Sequence, residues 1–150
     1  MVISALLAFL HFAAVFVVVG TVSYEWLAMS RFPSHAEARK IQLCDIWYGI
    51  SAAVLLVVGF LRVFYFEKGK DFYLSNPFFI AKLSLFLVVG LLSIYPTIMF
   101  IKWRKETKRG LSPVVTERQF FVVSIFLKLE LLLLLAIALC ASLMARGISL

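Results

Sequence analysis

The sequence predicts an all-α integral membrane protein, a four-helix bundle with both termini periplasmic. Three observations predict it. The chain is 63% hydrophobic and 15% charged with mean hydropathy +1.02, a composition suited to lipid rather than water as solvent. Four apolar runs, at about 2–22, 46–66, 78–101 and 120–144, each reach the ~20 residues that a helix needs to cross a bilayer. Strand-period alternation is absent, and the runs are too long for barrel strands. The 150 residues read as a single transmembrane domain, 1–150.

The first run carries His11 at its middle, with no other ionisable group from Val2 to Tyr24. It reads as a retained helix rather than a signal peptide, since no Lys or Arg precedes it and no small-residue cleavage pattern closes it. The following loop contains Pro33 and then Ser34 with Glu37 three residues on. That is a capping-box spacing, and it predicts the start of a short amphipathic segment. The second run opens with Tyr48, Ser51, Ala52 and Leu55 on one helical stripe that continues to Arg62.

The second loop contains Gly69 and ends Ser75-Asn76-Pro77, where Pro77 suits the first turn of the third helix. Lys82, Phe86, Gly90 and Ser93 share one stripe of that helix, and Pro96 is expected to loosen it. Ser112-Pro113 and the polar lead Thr116-Glu117-Arg118-Gln119 introduce the fourth run, which carries Lys128 and Glu130. P-loop, zinc-spacing and dinucleotide-binding patterns are absent.

Charge sets the orientation. Arg31, Arg39, Lys40, Lys102, Arg104, Lys105, Lys108, Arg109 and Arg118 flank one side of the bundle, nine residues against four (Arg62, Lys68, Lys70, Arg146) on the side of the termini. The positive-inside rule places the first and third loops in the cytoplasm. The formal charge of +7 then reflects a basic rim facing anionic headgroups, with no need of nucleic acid. Cys44 and Cys140 fall ~30 Å apart in depth, which rules out a disulfide between them.

Ionisable groups within the runs are the site candidates, because each is costly in hydrocarbon. At ~1.5 Å per residue, His11 and Glu130 both fall near the midplane and Lys82 in the outer third. Arg62, Lys82 and Lys128 also have a simpler reading as cations that snorkel to an interface, strongest for Arg62 and Lys128. Glu130 must be protonated, paired or hydrated at that depth, and Lys82 is the partner expected for it. Stripes of small and polar residues face inward in membrane bundles, so His11, Arg62 and Lys82 read as lining one cavity. A haem b suits its electrostatics: iron on the His11 imidazole, propionates toward Arg62 and Lys82.

Two resemblances add to this. Leu10-His11-Phe12, Tyr48-Gly49-Ile50-Ser51, Ile80-Ala81-Lys82-Leu83 and Glu130-Leu131-Leu132-Leu133 are similar, in order, to the four helices of HemJ-like protoporphyrinogen oxidases. Arg62-Val63-Phe64-Tyr65-Phe66-Glu67-Lys68-Gly69, Asn76-Pro77, Leu92-Ser93-Ile94-Tyr95-Pro96-Thr97 and Trp103-Arg104 more closely resemble domain-of-unknown-function family 2214, a group of bacterial membrane proteins. The HemJ-like resemblance implies haem b on His11 (the metal ligand), a functional Lys82, and a membrane oxidoreductase of a porphyrinogen or quinol. Ser93 stands near the place of that family's third-helix histidine, so a second protein imidazole for the iron is missing. Lys82 and Glu130 are the candidate catalytic residues, and His11, Arg62, Lys82 and Ser93 the candidate cofactor contacts.

Two other functions fit the composition. One is a non-catalytic partner, a homo-oligomer or an accessory subunit of a respiratory complex, suggested by the small size and fifteen Phe. The other is a small transporter in which Glu130, Lys128 and His11 relay protons. The expected location is the bacterial inner membrane, with the lipid bilayer as principal partner.

Overall fold

The computed structural model describes residues 2–66 and 76–146; Gly69, Lys68, Lys70 and Ser75 lie outside the described residues. Four helices form it: α1 (Val2–Ala28), α2 (His35–Leu61, continued by a π-helical turn Arg62–Phe66), α3 (Pro77–Thr107) and α4 (Glu117–Ala145). Each is long and apolar enough to cross a membrane. They run up and down with sequence neighbours adjacent. The α1–α2 and α3–α4 hairpins are the main packing units, and the diagonal pairs α1/α3 and α2/α4 have no close backbone approach among the described residues, α2 and α4 meeting through side chains such as Tyr48 and Glu130.

All four helices begin or end beyond the apolar runs, for local reasons. At α2, Ser34 Oγ accepts from the Glu37 N–H at 3.2 Å while Glu37 Oε2 accepts from the Ser34 N–H at 2.7 Å. The capping box therefore starts the spanning helix itself, not a separate short segment. At α4, Thr116 and Gln119 build the same device. Asn76 caps α3 through its side chain and Pro77 fills the first turn. The third helix runs unbroken through Pro96, which is buried.

The surface is inverted relative to a water-soluble bundle. Phe9 is 71% and Phe16 77% exposed, while Glu25 and Glu130 are 2% and 1% exposed. Apolar rows outside and acids inside match a lipid solvent. The interior core divides in two. The larger cluster extends from Ala14 and Leu55 to Trp103 at the basic-loop end; a small one of Val63 and Phe79, joined by Met144, sits at the termini end. Both cysteines are free.

Candidate functional site: an acid cluster inside the bundle

The seam between α2 and α3 is a ladder of polar contacts. The His35 ring Nε2 donates to the Thr107 carbonyl at 2.9 Å, and Gln42 Nε2 donates to the Phe100 carbonyl at 3.0 Å. Thr107 Oγ1 lies 3.2 Å from Gln42 Oε1. One turn further in, Thr97 Oγ1 donates to Asp45 Oδ1 at 2.6 Å. Next, the Tyr48 hydroxyl meets Ser93 and donates to the Glu130 carboxylate. Positions 35, 42 and 45 thus face 107, 100 and 97 in a constant antiparallel register, and 48 meets 93, one residue off it.

Three helices deliver carboxylates to the inner end of this ladder. Glu25 comes from α1, one turn before its end, and lies within electrostatic reach of Asp45 and Glu130. Arg104 on α3 also lies within electrostatic reach of Asp45, as an attracting cation. All three acids are buried, Asp45 at 8% exposure. Glu25 Oε1 and Glu130 Oε1 are enclosed with no hydrogen-bond partner. A buried oxygen left unbonded is costly. Buried carboxylates that interact in low dielectric titrate as a coupled set rather than singly. Among the described residues no three His, Cys, Asp or Glu side chains stand in position to hold a metal ion.

The residues anticipated from sequence fall into two strata rather than one site. A Cβ on Gly59 would stand 3.7 Å from His11 Cε1, so the imidazole packs against α2 at that glycine. Gly59 lies eleven residues beyond Tyr48 on α2, about 16 Å of helical rise. His11 and Glu130 are therefore not level: Glu130 lies on the order of 15 Å nearer the basic loops. Its partner is Tyr48, not Lys82. Ser93 likewise belongs to the acid cluster and stands well away from His11.

Continuing the α2–α3 register puts residue 83 opposite Gly59, so Lys82 shares the level of His11, from the diagonal helix. Lys82 Nζ stands 5.1 Å from the centroid of the Phe79 ring. Arg62 opens the π turn less than one helical turn beyond Gly59. Ala14, Val18, Leu55 and Val89, all buried, fill the space between the strata. Lys128 belongs to neither stratum: its Nζ stands 5.7 Å from the Trp26 ring on the exposed face.

Glu25 and Asp45 escaped the sequence reading because each falls just outside an apolar run. Helical phase was the available signal. Glu25 continues the buried stripe Ala14, Val18, Val22, and Asp45 precedes Tyr48 by three residues on the stripe facing α3.

A four-helix membrane bundle with an interior acid cluster is thus the class that fold and site define. Residues 3–149 match the model of a family described as predicted membrane protein (DUF2214), and the chain belongs to that family. No curated protein and no solved structure matches it.

Proposed function

We propose that this protein is a small transporter that carries protons across the membrane, with Glu25, Asp45 and Glu130 as its proton-loading site. The observation that supports the reading is the pair of enclosed, unpartnered oxygens, Glu25 Oε1 and Glu130 Oε1, beside a third buried acid. Intramembrane carboxylates that face a bundle interior mark ion and proton pathways. A proton reaching Asp45 or Glu25 from the basic-loop end binds a carboxylate oxygen. Tyr48 passes protons on by donating its own to Glu130 while accepting another at the same oxygen. The layer of Ala14, Val18, Leu55 and Val89 holds no proton carrier and is the barrier that limits the rate. His11 is the next titratable group beyond it.

Proteoliposomes with an imposed pH gradient and clamped membrane potential test this. The gradient should collapse faster than in protein-free vesicles, and Glu130→Gln should return the rate to background. Wild-type vesicles no leakier than empty ones would overturn the proposal.

A second reading rests on the outer stratum, where His11 and Lys82 share a level with Arg62 a turn or less away. This donor set fits haem b: the His11 imidazole for iron, the Lys82 and Arg62 cations for propionates. The HemJ-like resemblance of the same residues supports it. Bound haem would supply one-electron chemistry for a lipid-soluble donor such as a quinol or porphyrinogen. His11, packed on Gly59, would hold the ligand ring in place. Protein from haem-replete cells should then show a Soret band that His11→Ala abolishes; a colourless wild type would end this reading.

A further inference from the structure

At the basic-loop end, a groove of about 530 Å³ opens between α2 and α3. Arg39 from α2, Arg104 from α3 and Lys108 just past the end of α3 line it, with no carboxylate among its walls. No close salt bridge holds any of the three among the described residues, although Arg104 lies within electrostatic reach of Asp45; the Arg31–Glu117 pair lies elsewhere on the same end. Its polar wall is the Gln42–Thr107 contact of the ladder.

The groove changes character along its length. Leu43 and Ile46 line its membrane side and are 55% and 42% exposed. Arg39, Leu43 and Ile46 follow one helical stripe, so cation passes to aliphatic surface within two turns of α2. On α3, Ile101 and Ile98 are exposed one to two turns inward of Arg104. Charge at the membrane surface above an apolar furrow is the pattern of a phosphate-headed lipid, head outward and chains inward. A free anion would have no use for the furrow.

We propose that this groove is a binding site for one anionic phospholipid, its phosphate held by Arg39, Arg104 and Lys108 and its acyl chains lying over Leu43 and Ile46. The groove adjoins the acid cluster through Arg104, which also reaches Asp45, but the lipid site stands whether or not the protein carries protons. Juxtamembrane cations contribute ~1 kcal/mol each toward anionic lipid, about fivefold in affinity.

Native mass spectrometry of the detergent-purified full chain tests it, with phosphatidylglycerol, phosphatidylcholine or inorganic phosphate added. One phosphatidylglycerol should be retained per chain in preference to phosphatidylcholine. Arg39→Gln with Lys108→Gln should weaken it by on the order of 25-fold, and both positions are exposed, so the helical circular dichroism should be unchanged. Lys105→Gln removes a charge from the same end outside the groove and should have little effect. Equal retention of the two lipids, equal losses from Lys105→Gln and the double variant, or displacement of the lipid by inorganic phosphate at equal concentration would each overturn the proposal.

Discussion

Tyr48 is the residue on which the inner site turns, since its hydroxyl meets both Ser93 and Glu130. Tyr48→Phe would leave the Glu130 carboxylate, already unpartnered at Oε1, without its phenolic donor. A loss of about 1–3 kcal/mol in stability is expected, read from a denaturation curve in detergent. A variant as stable as wild type would remove Tyr48 from that role. At the other stratum, Gly59 shows how closely His11 is fitted. A Cβ there would meet the ring at an ordinary 3.7 Å, so Gly59→Ala should be neutral or stabilise by up to ~1 kcal/mol through helix propensity. Gly59→Phe should displace the imidazole and destabilise the bundle. Equal melting of the two variants would contradict the packing of His11 on α2. Individual acids were partly legible in the sequence. Glu130 stood out by sitting deep in an apolar run, whereas Glu25 and Asp45 sat at run ends, where an acid also suits an interface.

Among the elements, caps decide where helices start and hydropathy does not. Ser34 and Thr116 each satisfy an N-terminal N–H through a capping box. Ser34→Ala should cost about 1 kcal/mol and fray the first turn of α2, seen as faster amide exchange at residues 36–38 than in wild type. Unchanged exchange there would show that the cap does not hold the turn. The four runs were readable because lipid demands length and apolarity. The true bounds were not, because polar helix continues past the hydrocarbon once its end is capped. The relative depth of residues on different helices was also hidden. Counting rise from each run's estimated end put His11 and Glu130 at one level, yet the hydrogen-bonded register of α2 against α3 separates them.

For the whole molecule, the division into two strata with an apolar layer between is the feature that function must use. By the positive-inside rule the basic loops at the acid-cluster end are expected to face the cytoplasm. A single cysteine at Lys108, introduced after Cys44→Ser and Cys140→Ser, should label in inverted vesicles and not in intact cells; the reverse would turn the bundle over. That division could not be read from one sequence, since it depends on which helices are neighbours and which are diagonal. The proposed proton-loading site requires that Glu25 and Glu130 exchange protons as members of one interior cluster. Infrared difference spectroscopy between acidic and alkaline pH reads this exchange through the carbonyl-stretch band of protonated carboxylic acids. A titrating band is expected that shifts in deuterium oxide, loses part of its intensity in Glu130→Gln, and changes its remaining pH dependence in Glu25→Gln. Difference spectra identical among wild type and both variants would contradict it.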